Sequence, residues 1–376
     1  MTQRKMMVIA TITILLTMSV TGGCIFFKPD KDSDGLFPVT DIRGREVYVP
    51  KNINGIIPLG ACSLRIVSYF DSIDKVIAVD MQEKTDSAMF GGAYFESSTY
   101  RIAYPTLRDL PSVGSPLPIN AEEIILKNPD IVFSSNTNTV ELDNMQKTLG
   151  IPVIGINADL EMDDPDFNRQ LAIVGKVLGE ESRANELING LDEILDDLDV
   201  RSAAVTEEKT AYVAGMFFYG GGGLYKTSGD YLPFTYTGVD NVMPSGVSGV
   251  GKQPYDTDIE NLILKNPQYI FIDSITEGDC KNDYQKDKEL LDDVQAFSDN
   301  NVYTTLVYKN YGTNWENQVV NMYYVGSVVH PDIYDDINIK QKAEEIWKLF
   351  FQVDLNYEDV ANLQNGPGLQ QADWWA

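Results

Sequence analysis

Histidine occurs once in the 376 residues, as His330, and cysteine three times, as Cys24, Cys62 and Cys280. No CxxC or HExxH pairing exists. A closed zinc site takes four Cys or His ligands. The chain holds four such side chains in all, at spacings that fit no zinc pattern. A histidine-based catalytic triad would have to use His330, which sits in Val329-His330-Pro331 at the end of a helical pattern. A helix C-cap is the plainer reading of that residue. Positive charge is also scarce: 29 Lys and Arg stand against 56 Asp and Glu, a net charge of −27. A phosphate backbone needs a basic face, so nucleic acid is excluded as a partner. Such acidity keeps a chain soluble and points to a monomer. Long apolar runs are missing too. The stretch over residues 7–20 is about 14 residues, below the roughly 18–20 that span a bilayer. What is present is a globular composition: 43% hydrophobic and 10% aromatic. The length suggests two domains or three, at roughly 100–200 residues each.

The first residues read as an address. Arg4 and Lys5 precede the short apolar stretch, and Thr21-Gly22-Gly23-Cys24 follows it. A positive start, a short apolar core and small residues before a cut make a secretory signal. The cysteine after Gly23 resembles the lipobox of exported lipoproteins, in which that cysteine carries lipid. Thr21 stands where Leu is preferred. The alternative is an uncleaved anchor with an incidental Cys24. Either way the bulk of the chain lies outside the cytoplasm, tethered to a membrane. Residues 1–23 are thus assigned to a signal peptide and 24–36, polar and charged, to a tether.

The body repeats itself. Residues 121–133 read AEEIILKNPDIVF and residues 259–271 read IENLILKNPQYIF, with seven of thirteen positions identical at an offset of 138. Each begins beside a capping residue, Asn120 or Asp258, runs as a short helix to Asn-Pro, and enters an apolar strand. That helix–turn–strand unit is half of a parallel-sheet crossover. Further strands are expected at 56–59, 76–79, 153–156 and 211–216, a helix at 64–70, and a leading β-hairpin over 37–49. Residues 315–329 and 343–351 read as helices. From Glu181 to Asp199 the apolar residues keep i, i+3, i+4, i+7 spacing, which predicts one long helix after a shorter one over 167–178. The expectation is an α/β protein of two lobes with mainly parallel sheets, 37–178 and 204–376, bridged by a helix in 179–203.

Several segments together resemble a family. VTDIRGREVYVPKNINGIIPLG, SLRIVSYF, DKVIAVD, PSVGSPLPINAEEIILKNPDIVF, GIPVIGI and NMYYVGSVVHPDIY are similar, in order and spacing, to the substrate-binding lipoproteins of iron–siderophore, haem and cobalamin ABC importers. The resemblance covers residues 37–351. It implies two α/β lobes joined by a helix, a ligand between them, and a membrane permease dimer as partner. It also implies that Glu122 and Glu260, equivalent in the repeat, dock onto permease arginines. The local alternative is that both acids simply favour a helix N-terminus.

The remaining candidates follow from side-chain chemistry. Gly220–Gly223 followed by Leu224-Tyr225-Lys226-Thr227 resembles a phosphate-binding loop, but Tyr225 replaces the glycine that its tight turn requires. The segment reads better as a loop at the carboxyl edge of a sheet, where α/β proteins bind ligands. Tyrosines gather in such loops: Tyr94, Tyr219, Tyr225, Tyr231, Tyr255 and Tyr311, with Trp315 and with Phe95, Phe217 and Phe218. The tyrosines stack and hydrogen-bond together, which suits a large planar or wrapped chelate. Ser63, Arg65 and Arg108 complete the expected contacts, the arginines meeting an anionic chelate, and Lys226 is a further candidate. The expected ligand is a ferric siderophore, haem or corrinoid, with no resident cofactor, no protein-held metal and no catalytic residue. Relatives that take free Zn or Mn use several histidines. Bare Fe(III) held by tyrosines and carboxylates is a minor branch. A chelatase-like enzyme on the same fold and a surface adhesion protein are the competing classes. Cys62 and Cys280 are expected as free, buried thiols.

Overall fold

The computed structural model describes residues 35–376 except 91, 218–220, 247–252, 365–367 and 375–376, and leaves out the side chains of Ala93 and Tyr94. Cys24, the signal segment, residues 24–34 of the expected tether, Phe218, Tyr219 and the Tyr94 side chain therefore lie outside the described residues, and Leu36, the last residue assigned to the tether, already belongs to the first strand. Leu36–Ala376 form one compact unit. No helix among the described residues is long and apolar enough to cross a membrane.

The chain opens with the expected hairpin, β1 (Leu36–Thr40) against β2 (Glu46–Pro50), antiparallel. Asp41 closes its turn by accepting from the backbone N–H groups of Arg43 and Arg45. Three parallel strands follow, β3 (Ile56–Leu59), β4 (Ile131–Ser134) and β5 (Val153–Gly155), in the order β3-β4-β5. Their residues are buried on both faces, as parallel strands under helices must be. The segment expected as a strand at 76–79 is instead a pair of isolated bridges, Ile56 to Val76 and Val79 to Ser112. It follows a turn of 3₁₀ helix at Ile73–Lys75 and is too short to build a ladder.

The second sheet contains β6 (Lys209–Ala214), β8 (Val239–Asn241), β10 (Tyr269–Asp273), β11 (Val302–Thr305) and β12 (Gln370–Gln371), in the order β12-β11-β10-β6-β8. All pairs are parallel except β12, which returns antiparallel along β11. A small ribbon pairs β7 (Lys226–Thr227) with β9 (Tyr255–Asp256). Each sheet carries one copy of the repeat. The helices Ala121–Lys127 and Ile259–Lys265 are capped by Asn120 and Asp258, which accept from the N–H of Glu123 and Asn261. Both end on an asparagine in the left-handed conformation, Asn128 at φ 53° and Asn266 at φ 43°, a conformation asparagine tolerates better than most residues.

The linking helix runs Glu181–Ala203, 23 residues, or about 34 Å at 1.5 Å per residue. It is one turn longer than its apolar spacing indicates. Helix Pro165–Leu178 before it stops at Gly179, φ 74°. The helices Trp315–Val329 and Ile339–Phe351 then return to the first half. Trp315, Val319, Trp347, Phe350 and Phe351 share one core with Ile56, Tyr69, Phe70 and Phe133. His330 caps the first of these helices and is buried, with its pKa lowered by burial and by Lys209. Cys62 and Cys280 are free and buried. Burial pushes the Cys62 thiol up to about 11 and also raises the Cys280 thiol well above its ordinary value.

Candidate functional site

The carboxyl ends of the parallel strands release the loops in which an α/β protein binds its ligand. In the first half these ends are Leu59-Gly60, Ser134-Ser135 and Gly155-Ile156. In the second they are Gly215-Met216-Phe217, Asp273-Ser274-Ile275 and Leu306-Val307. The loop 308–314 that follows β11 crosses to the first half. Tyr311 adopts φ 48° and donates its hydroxyl to Asp80 Oδ2 at 2.8 Å. The Cys62 N–H donates to the Tyr311 carbonyl at 3.3 Å. Gly312, at φ 97°, lies so close to Cys62 Sγ that a Cβ there would collide with it. Asp80 also accepts from the N–H of Gly60 and Gln82. Burial and the neighbouring Glu83 charge still push its carboxyl up to about 6. Asp273 accepts from the N–H of Tyr308 and Ile275, and burial pushes its carboxyl up to about 7.

A polar seam joins the two halves. Arg65 Nη1 meets Glu316 Oε1 at 2.6 Å, both side chains being fully buried. Tyr69 donates to Glu316 Oε2 at 2.8 Å, and the Arg65 guanidinium lies 4.7 Å from the Tyr100 ring centre. Trp315 Nε1 donates to the Leu160 carbonyl at 2.8 Å, Gln318 Nε2 to Glu161 Oε2 at 3.1 Å, and Ser98 Oγ to the Asn310 carbonyl at 3.1 Å.

These placements sort the expected contacts. Arg65, Trp315 and Ser63 are core side chains: Arg65 neutralises Glu316, Trp315 is fully buried, and Ser63 donates to the Leu59 carbonyl. In this arrangement none of the three presents surface to a ligand. Tyr231 is buried too, with its ring against Phe234 and Tyr308. Tyr225 is half-buried and donates to Asp287 at 2.8 Å. Tyr255 donates to the Pro244 carbonyl at 2.9 Å, and Lys226 pairs with Asp256 across the β7–β9 ribbon. Arg108 is exposed at the rim, 3.5 Å from Glu96. Glu122 and Glu260 are exposed on their repeat helices.

Sequence reasoning passed over a second buried arginine. Arg101 binds Glu83 at 2.7 Å and donates to the carbonyls of Gln82, Phe90 and Phe95, so it ties these four residues together. Phe90 was passed over as well; its ring meets that of Tyr311, one of the loop tyrosines expected at the site, at 4.8 Å. The signal available was weak: Arg101 stands alone in an irregular stretch, and its partner Glu83 lies 18 residues earlier.

The family model for periplasmic binding proteins matches residues 93–306, more than half of the chain. The chain belongs to that family. Its solved members share the fold. A periplasmic solute-binding protein from Veillonella parvula superposes with a TM-score of 0.68 at 18% identity, covering 88% of this chain and 97% of that one. Helicobacter pylori CeuE, in a Ni-His complex, gives a TM-score of 0.61 at 19% identity, covering 87% and 99%. By sequence, the molybdate-binding protein MolA of Haemophilus influenzae is 22% identical over 349 residues, 86% of this chain and 93% of the relative. The protein is thus the extracytoplasmic solute-binding component of an ABC importer, a class of binding proteins rather than enzymes. The two-lobe α/β architecture is that of its relatives.

Proposed function

We propose that this receptor captures a chelated metal, a ferric siderophore, haem or corrinoid, in the cleft between the two sheets, and hands it to a membrane permease dimer. The observation that carries the reading is the lining of the second-half strand ends. Phe217, Ile275 and Val307 form an apolar cluster there, beside Tyr311. Such a wall suits a ligand with apolar or flat surface better than a small hydrated anion. A chelate also brings its own metal ligands, which suits a chain with one histidine. The matched relatives carry unlike cargo, molybdate for one and a nickel–histidine complex for another, so the cleft has to decide.

Docking is supported by the repeat. Glu122 and Glu260 each share a short helix with two exposed apolar residues, Ile125 and Leu126 in one, Ile263 and Leu264 in the other. Leu126 is 76% exposed and Leu264 79%. Two equivalent patches of this kind suit a partner with two-fold symmetry. A monomer tethered through lipid on Cys24 completes the reading.

A thermal-shift panel of haemin, cyanocobalamin, ferrichrome and sodium molybdate tests the cargo. A ligand at 100 times its dissociation constant adds about 2.7 kcal/mol of stability. A shift with any of the three chelates supports the proposal; a shift with molybdate alone overturns it.

A further inference from the structure

The apolar cluster at the strand ends is already covered. Phe217, Ile275 and Val307 follow β6, β10 and β11, three adjacent strands of one sheet. Among the described residues the partly buried side chain that packs on them, Phe90, comes from the other half of the molecule. Its ring also lies 4.8 Å from that of Tyr311, tilted by 35°. A phenyl group from the first half thus occupies the ground where an α/β sheet receives its ligand. No strand or helix carries it. Its carbonyl accepts from Arg101 Nη1 at 3.1 Å and its N–H donates to Ser87 Oγ at 3.2 Å. The root of the segment is fixed by the buried Arg101–Glu83 pair. Met81 and Met89 are exposed, and Gly92 takes φ 58°. Methionine adapts its shape readily.

We infer that Phe90 holds the ligand's place in the empty receptor and that the ligand displaces it, which rests on the cleft being the binding site. To enter, a ligand must offer Phe217, Ile275 and Val307 an apolar flat face in exchange for the phenyl ring. A small hydrated oxyanion has none, and a tetrapyrrole has two. The closed state also lowers apparent affinity by the fraction of molecules that are open. If about one molecule in ten is open, removing the ring tightens binding by about ten-fold. Phe90 is then a specificity-determining residue, rejecting small polar anions and admitting planar chelates.

Backbone hydrogen exchange, with haemin and sodium molybdate as probes, tests this on the purified protein. Without any probe, amides at 215–217, 275–276 and 307–308 are expected to exchange faster in Phe90→Ala than in the wild type. Phe90→Leu should fall between them and, with an unchanged melting temperature, shows that the fold is kept. Equal exchange in all three overturns the covering role. With haemin, the strand ends should become protected while residues 84–90 exchange faster, and Phe90→Ala should bind haemin about ten-fold tighter. Weaker haemin binding by Phe90→Ala makes the ring a wall of the site and overturns displacement. Protection by molybdate with haemin silent overturns the flat-face requirement. Protection by neither probe at residues 60, 135 and 215 overturns the admission of planar tetrapyrroles drawn here, while the cleft itself is tested by the wider cargo panel; the probe-free comparison decides the covering role independently.

Discussion

A charge buried beside its opposite is costly to leave alone. Arg65 and Glu316 have no water to fall back on, and burial by itself would lower the arginine's pKa; the glutamate reverses this and holds it above its ordinary value. Tyr69 completes the carboxylate's shell. Breaking a buried pair by removing one partner costs on the order of 3–5 kcal/mol, whereas replacing both with apolar groups is close to neutral. Arg65→Met is therefore expected to lower the urea unfolding free energy by about 3–5 kcal/mol. The double variant Arg65→Met with Glu316→Leu should recover most of that loss. A single variant as stable as the wild type would show that the pair carries no weight. Nothing local in the sequence marks this role. Arg65 and Glu316 are 251 positions apart, so an arginine in an acidic protein reads as a ligand contact until its partner is seen.

Elements with a strong periodic pattern were legible in advance, and those shaped by tertiary pairing were not. Helix Trp315–Val329 has its sequence-derived bounds, and both repeat helices start at their capping residues. β12 could not be read. Gln370 and Gln371 have no apolar alternation and are exposed. They form a strand because β11 presents an open edge, which Tyr303 and Thr304 share with them. The Ala372 N–H adds a bond to the Val302 carbonyl, and the Trp374 indole donates to Glu277 and packs on Tyr284. An uncovered sheet edge is a template for aggregation. A chain ending at Gln364 is therefore expected to lose stability and to self-associate on concentration, read by light scattering. A monodisperse truncated protein of unchanged melting temperature would refute the edge-cover role. The candidate site divides in the same way. The strand ends around it followed from the repeat and Tyr311 from the tyrosines of the loops, but the sheet order and Phe90, which faces Tyr311, came only with the packing.

At the scale of the molecule, the two repeat helices present the same short face twice: one glutamate and two exposed apolar residues on each. Charge pairs of this kind set orientation and association rate more than affinity. Glu122→Arg with Glu260→Arg should abolish uptake in cells while leaving the melting temperature and cargo affinity nearly unchanged. Normal uptake by the double variant would remove these residues from the permease contact. Lost cargo binding would place them in the cleft instead.

The return of the last helices to the first half bears on how the chain comes to be folded at all. Tyr69, Phe70 and Phe133 wait for Trp315, Trp347 and Phe350 to close around them. The first 160 residues thus hold an unfinished interior until almost the whole polypeptide is available. Nucleation by such distant contacts is slow, and partly folded species expose apolar surface meanwhile. Refolding should proceed as a single late event in which both sheets become protected together, with no stage at which the first half stands complete by itself.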